Sequence, residues 1–300
     1  MNTRELRIQC NNEWPTKIHF PAEEEFIEQL KKYNLQQVLS VAQLGVSEQY
    51  EFQFYLGYLI DALDMLPLRP DLAFDHLWKA LDAEFFIVQS EVNDNNIARF
   101  DAFVDKVMND PKAASSFLEY LSVIPYQTCE YAAKRIIKAS SNLENNHDKT
   151  LISRAQNTLG QDFCNALISK YPPSTKGKPY PDDQRKAGRL LKLIFLDNTV
   201  ELSGKTYSFT ETQKAKFLIK VVLTNYRNER FHGDVFSSTF RSSTATLKTY
   251  SHAYYLLHIS YALLLDVFLY REYGVINIED VRKVADKNIK LFSSIFDNIQ

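Results

Sequence analysis

Apolar residues recur every three or four positions along most of the chain, which is the spacing of amphipathic helices. Gly and Pro, which interrupt helices, number only 8 and 10 in 300 residues. The sequence therefore predicts an all-α fold, a multi-helix bundle with one or two minor β-hairpins. Helices are expected at residues 22–43, 47–66, 70–92, 96–109, 113–139, 148–171, 183–196, 210–232, 244–273 and 278–298.

Two short stretches depart from this helical pattern. Residues 4–20 alternate apolar and polar side chains around Ile8, which predicts a short hairpin. Residues 200–209 predict a second hairpin that turns at Ser203-Gly204.

The two halves of the chain differ in charge. Residues 1–150 carry 14 basic and 23 acidic side chains, a net of −9, and residues 151–300 carry 21 and 14, a net of +7, which sum to −2. A basic half suits a polyanionic ligand such as RNA, and an acidic half does not.

A polar run at residues 140–147 coincides with this change of charge and predicts a domain boundary. We expect an acidic N-terminal helical domain of unknown role at 1–147 and a basic helical domain at 148–300. In an alternative division, the helix around Trp78 belongs to a core that spans both halves, and residues 96–180 are an insertion.

The cysteine pattern and the hydropathy indicate a soluble cytoplasmic protein. Cys10, Cys129 and Cys164 stand far apart, as free thiols in a reducing compartment do. The N-terminal residues lack the apolar core of a signal peptide. The most apolar stretch, residues 253–270, is interrupted by polar side chains. It predicts a buried helix, in the core or at an interface, and no association with a membrane.

The most informative segment is residues 226–233, Tyr-Arg-Asn-Glu-Arg-Phe-His-Gly, at the end of the helix predicted for 210–232. Asn228 and His232 are four residues apart and share one face of that helix, and the long Arg227 side chain reaches over from the adjacent face. A guanidinium, a carboxamide and an imidazole at one helix end suit chemistry on a phosphodiester. These three residues are therefore the candidate catalytic residues.

This segment resembles the R-x4-6-H motif of the HEPN superfamily, whose commonest form places a polar residue, often Asn, directly after the Arg. The resemblance implies an all-helical domain that usually dimerises, so that two copies of the motif share one cleft. It also implies, in many members, metal-independent cleavage of RNA by toxins or by proteins that defend against phages. Other members are inactive binding modules.

RNA carries its own nucleophile, so its cleavage needs proton transfer and neutralisation of charge on the phosphate, with no obligatory metal or cofactor. Histidine titrates near neutral pH, which suits His232 as general acid or base. The Arg227 guanidinium would hold the phosphate oxygens in the transition state, and Asn228 would orient the imidazole or the phosphate. Arg230 and Arg241 are the further candidates for contacts to backbone phosphates.

The leading hypothesis is a homodimeric, metal-independent endoribonuclease that leaves 2′,3′-cyclic phosphate ends, with an antitoxin or another defence protein as partner. The alternative is a catalytically inactive HEPN-like module that binds RNA, a nucleotide or a protein. A third hypothesis is a helical adaptor whose acidic N-terminal half binds a protein partner.

Overall fold

The computed structural model describes residues 2–92, 97–196, 198–231 and 239–299. Its regular structure in these residues is helical apart from one small hairpin, which confirms the predicted all-α bundle. The α-helices are α1 (Thr3–Asn12), α2 (Pro21–Lys32), α3 (Tyr50–Asp64), α4 (Pro70–Ser90), α5 (Arg99–Phe103), α6 (Tyr126–Ser140), α7 (Asn146–Leu159), α8 (Gln161–Lys170), α9 (Pro181–Phe195), α10 (Glu211–Phe217), α11 (Thr224–Phe231), α12 (Leu247–Tyr270) and α13 (Ile278–Phe296). Two π-helical segments, Val104–Met108 and Leu218–Leu223, and three 3-10 segments, Ser116–Val123, Thr239–Arg241 and Asp297–Ile299, complete the helical structure.

The hairpin predicted for residues 200–209 is confirmed. Strands β1 (Val200–Leu202) and β2 (Lys205–Tyr207) pair antiparallel. Ser203 and Gly204 between them have φ angles of 55° and 74°. Two successive left-handed residues make the turn whose twist matches that of paired strands, which is why glycine is favoured there.

The hairpin predicted for residues 4–20 is wrong, because α1 occupies most of it. The Asn2 side chain accepts hydrogen bonds from the backbone N–H groups of Arg4 and Glu5, and the Glu5 carboxylate accepts one from the Asn2 backbone N–H. This reciprocal cap satisfies amide groups that the first helical turn leaves free. Local capping therefore prevails over the short alternation of side chains.

The helix predicted for residues 148–171 is two helices, α7 and α8. They meet at Gly160, whose φ of +87° cannot be part of a right-handed helix. The helix predicted for residues 113–139 is likewise divided, into the 3-10 segment Ser116–Val123 and α6, which begins after Pro125. The other helices begin close to the predicted positions, and several end earlier.

Helix α12 forms the centre of the core. Nearly all of its side chains are buried, and α4 and α13 pack along it. The Tyr250 hydroxyl donates to the Leu68 carbonyl (3.1 Å), and the Tyr261 hydroxyl accepts from the Ala42 backbone N–H (2.7 Å). In the described part of the chain α12 alone is long and apolar enough to cross a membrane, but its most apolar window is 94% buried inside the fold. This is consistent with a core helix of a soluble protein.

Helices of the two halves of the chain pack against each other. Helix α4 lies against α12, and α6 lies against both α9 and α12. Buried side chains from both halves belong to one hydrophobic core. The boundary at 147/148 and the alternative with residues 96–180 as an insertion both stay predictions.

Helices α6 and α9 approach each other closely at Gly188. A Cβ atom built on Gly188 would lie 2.8 Å from the Glu130 Cα atom and 3.0 Å from its backbone nitrogen. Because a backbone cannot move aside as a side chain can, we expect Gly188→Ala to lower the free energy of unfolding by about 1–2 kcal/mol, the cost of overpacking less the gain in helix propensity. Urea denaturation followed by circular dichroism measures this change.

Gly57 in α3 provides the matched control, since a Cβ atom there meets nothing within 4 Å. Gly57→Ala should raise stability by about 0.5–1 kcal/mol. Equal shifts of the same sign at both positions would contradict the close approach of α6 and α9.

Candidate functional site

The helix that carries the motif begins as predicted. The Thr210 hydroxyl accepts from the Gln213 backbone N–H (3.2 Å), and the Gln213 side chain accepts from the Thr210 backbone N–H (3.0 Å). Helix α10 then continues through the π-helical segment Leu218–Leu223, where the Thr224 hydroxyl donates to the Ile219 carbonyl (2.6 Å). Segments of this kind are frequent at functional sites. Helix α11 follows and ends at Phe231.

The structure brings Arg227 and Asn228 together at the end of α11. The Arg227 Nη1 donates to the Asn228 Oδ1 (3.1 Å), and the guanidinium carbon lies 4.7 Å from the centre of the Phe231 ring. The Arg227 side chain is 25% exposed. No described residue accepts a hydrogen bond from its Nε. The guanidinium is thus held in place, and its buried Nε is left without an acceptor among the described residues.

Two further arginines surround Arg227. Arg99 at the start of α5 is close enough to Arg227 for the two charges to repel, and Arg154 of α7 interacts with Arg99 in the same way. Burial lowers the pKa of both Arg99 and Arg154, and the neighbouring positive charges act in the same direction, whereas Asp82 opposes the shift at Arg99. We call Arg99, Arg154 and Arg227 the arginine cluster.

The arginine cluster has a single described carboxylate beside it, Asp82 of α4. The Asp82 carboxylate lies 3.1 Å from Arg99 Nη1 and 3.9 Å from Arg227 Nη2, so its closer partner is Arg99. Three positive charges against one negative charge leave a net of +2. Such an arrangement attracts an anion with several negative oxygens.

Arg230 has internal partners instead. Its Nε and Nη2 donate to the two Asp75 oxygens (2.8 and 2.6 Å), and its Nη1 lies 3.2 Å from Asp71. Burial alone would lower the pKa of the Arg230 guanidinium, but its hydrogen bond to Asp75 and the charges around it raise it. With its side chain only 9% exposed, Arg230 serves the packing of α11 on α4.

Arg241 lies in the 3-10 segment before α12 and contacts α2. Its Nε is 3.4 Å from Glu23, and its side chain is 42% exposed. The structure thus gives Arg241 a neighbour other than the arginine cluster. His232 lies outside the described residues, and its role stays a prediction.

Sequence reasoning missed Arg99, Arg154 and Asp82 as members of this site. Arg99 and Asp82 belong to the half of the chain assigned to a separate acidic domain. The structure places Asp71, Asp75 and Asp82 of α4 beside arginines. The signal available was their spacing on α4, which is compatible with one side of a helix facing Arg227 and Arg230.

The opposite side of α11 is fixed by a buried polar network. Glu229 accepts from the Tyr131 hydroxyl (2.9 Å) and lies 2.6 Å from the Arg135 Nε, both on α6. Asn225 in turn donates to the same Tyr131 hydroxyl (2.6 Å). These contacts tie α11 to α6 and set the rotation of the helix that presents Arg227.

The chain matches no protein-family model, no curated protein and no solved structure. Its function is therefore inferred from the geometry of its own residues.

Proposed function

We propose that this chain is a metal-independent endoribonuclease of the HEPN type. One observation carries the proposal: Arg227 of the motif stands in a cluster of three guanidinium groups with one carboxylate. A surface of this kind suits the phosphates of RNA, because each guanidinium offers paired donors to two phosphate oxygens. The proposal replaces Arg230 and Arg241 with Arg99 and Arg154 as contacts to the phosphates.

In the proposed reaction the 2′-oxygen of a ribose attacks the adjacent phosphorus, and the bond from phosphorus to the 5′-oxygen breaks. The 2′-hydroxyl loses a proton and the leaving 5′-oxygen gains one, which yields a 2′,3′-cyclic phosphate and a 5′-hydroxyl. His232 is the proposed proton-transfer group. The Arg227 guanidinium stabilises the charge that builds up on the phosphate oxygens, and Asn228 holds Arg227 in its orientation through their 3.1 Å hydrogen bond.

A single His232 would have to act as base and then as acid. The proposal therefore includes a homodimer, in which two copies of the motif serve one cleft. We place the activity in the cytoplasm, in a toxin–antitoxin or antiviral system with a protein partner that restrains it. The described cysteines are all free, which is usual in this compartment.

The test is cleavage of a fluorescent single-stranded RNA by the purified full chain in excess EDTA. Arg227→Ala should lower the cleavage rate by about 10²–10³-fold, as the loss of a preorganised transition-state donor does. His232→Ala should abolish cleavage. The products of the wild-type chain should carry 2′,3′-cyclic phosphate ends.

Measurements of RNA binding test the role of the arginine cluster independently of cleavage. Arg99→Ala and Arg154→Ala should each weaken RNA binding and reduce the slope of log affinity against log salt by about 0.7, the value for one phosphate contact on a single strand. Arg282→Ala, at an exposed position of α13, is the matched control and should change neither quantity.

EDTA-resistant cleavage that survives both Arg227→Ala and His232→Ala would remove these residues from the mechanism. If the wild-type chain binds RNA through the arginine cluster and never cleaves it, the chain is the inactive binding module.

A further inference from the structure

A cavity of about 390 Å³ lies on the side of α11 away from Asn228. Tyr226, Glu229 and Arg230 of α11 line it, and Arg227 and Asn228 do not. Its other walls come from α6, from α12 and from the 3-10 segment before α12. The volume is in the range of protein sites for small organic ligands.

The walls of this cavity are aromatic. Tyr131, Tyr226 and His252 form a connected set, with ring centroids 4.9 Å apart for Tyr131 and His252 and 5.3 Å apart for Tyr226 and His252. Phe240 adds a fourth ring. Aromatic walls favour a planar ligand that stacks on them, as a nucleobase does on such side chains.

Four basic side chains and one carboxylate, Glu229, line the cavity. Arg135 and Arg230 line the cavity but have close carboxylate partners in Glu229 and Asp75. Lys134 and Lys138 are exposed, one helical turn apart on α6, and no carboxylate in the described ranges lies within ion-pair distance of either. These two ammonium groups are therefore available to an anionic group of a ligand.

His252 adds a buried hydrogen-bonding atom. Its Nδ1 lies 2.9 Å from the Thr128 hydroxyl, whereas its Nε2 is buried and has no hydrogen-bond partner in the described part of the chain. Burial lowers the pKa of His252 to about 3, so the ring is neutral at physiological pH. A buried polar atom without a partner costs free energy, which a ligand with a matching polar edge recovers.

We infer that this cavity binds a nucleotide, with the base stacked among Tyr131, Tyr226 and His252 and the phosphate at Lys134 and Lys138. The base edge supplies a partner to His252 Nε2. The nucleotide is either free or part of an RNA strand, since both present the same base and phosphate. This site is separate from the arginine cluster and does not depend on the ribonuclease proposal.

Calorimetry tests the inference by measuring how the full chain binds adenosine and the four ribonucleoside 5′-monophosphates. Lys134→Ala with Lys138→Ala should weaken AMP binding about tenfold or more and leave adenosine binding unchanged, because only the phosphate contact is lost. Lys287→Ala with Lys290→Ala, a pair of exposed lysines on α13, is the matched control and should leave both affinities unchanged.

Thr249→Trp fills the cavity from α12 and should abolish the binding of adenosine and AMP alike. His252→Phe keeps a ring but removes the Nε2 atom, and should weaken both ligands. Circular dichroism shows whether each variant is folded, and His252→Phe remains a test if Thr249→Trp is not.

Binding of a short RNA shows whether the nucleotide is free or part of a strand. The RNA carries 2′-O-methyl groups, which block its cleavage. If AMP displaces this RNA and Thr249→Trp weakens RNA binding, the cavity holds a nucleotide of a strand. If the RNA stays bound in both cases, the ligand is a free nucleotide. The inference is overturned if no monophosphate binds saturably up to about 1 mM, or if the lysine, Thr249 and His252 variants all bind AMP as the wild-type chain does.

Discussion

Arg230→Ala is expected to lower the free energy of unfolding by about 3 kcal/mol, the lower end of the range for breaking a buried ion pair. The Arg230 side chain donates two hydrogen bonds to Asp75, and removing it leaves that largely buried carboxylate without a counter-charge. Asp71 loses less, because Arg69 still donates to both of its oxygens at 2.9 and 2.8 Å. Urea denaturation followed by circular dichroism measures the change.

The double variant Arg230→Met with Asp75→Leu separates the loss of the charge partner from the loss of packing. It should recover most of the stability, since it removes the unpaired charge together with its partner. Arg282→Ala, on the surface of α13, should change stability by less than about 0.5 kcal/mol. If Arg230→Ala leaves stability unchanged but abolishes RNA binding, Arg230 contacts the phosphates after all.

The second large effect is a loss of stability in acid that originates at His258. Its ring is 1% exposed, and Nε2 faces the Val38 carbonyl oxygen at 3.1 Å. Burial lowers the pKa of His258 from 6.5 to about 4. The unfolded chain therefore takes up a proton at a pH where the folded protein does not. The stabilising contribution is complete above pH 6.5 and is lost as the pH falls towards 4, by about 3 kcal/mol in all.

Asp266 changes the stability in the opposite direction over the same pH range. Burial raises its pKa from 3.8 to about 7, so its contribution is complete below 3.8 and is lost as the pH rises through 7. Burial lowers the pKa of His252 to about 3, which adds to the loss of stability in acid. The pH dependence of the wild-type chain is thus a sum of several contributions, some of them opposing. The effect of His258 has to be measured as a difference between two variants at each pH.

His258→Gln provides that difference, because its carboxamide keeps a donor for the Val38 carbonyl and does not titrate. We compare the free energy of unfolding of the variant with that of the wild-type chain at each pH. This difference should shift in favour of the variant by about 2–3 kcal/mol when the pH falls from 7.5 to 4.5. His19→Gln removes a histidine that is partly exposed and serves as the control. A constant difference between His258→Gln and the wild-type chain at all pH values would contradict a neutral buried ring.

The helices were largely predictable from sequence, because capping and periodicity are local. The capping pair Thr210 and Gln213 predicts the start of α10, and Ser203-Gly204 predicts the hairpin turn. The N-terminal segment was predicted wrongly, because its alternation of apolar and polar side chains is too short to decide between a strand and a short helix. The capping box at Asn2 and Glu5 was the stronger signal there.

The candidate site was only half predictable. Arg227 and Asn228 are adjacent in sequence, and their contact follows from that adjacency. The Asp75–Arg230 and Asp82–Arg99 pairs depend on how α4 meets α11 and α5, which no spacing along the chain reveals. For the same reason Arg230, adjacent to the motif, was expected to contact phosphate, whereas the fold gives it an aspartate.

The π-helical segment Leu218–Leu223 matters when the motif of this chain is aligned with that of another protein. A widened turn accommodates one more residue than a regular α-helix, so every side chain after it is rotated by about 100°. A relative that lacks one residue here would point a different side chain at Arg99. Equivalent residues in such proteins should therefore be assigned from the faces that their side chains occupy after this segment. An ungapped alignment on the motif would pair the wrong residues in the part of the helix that precedes the segment.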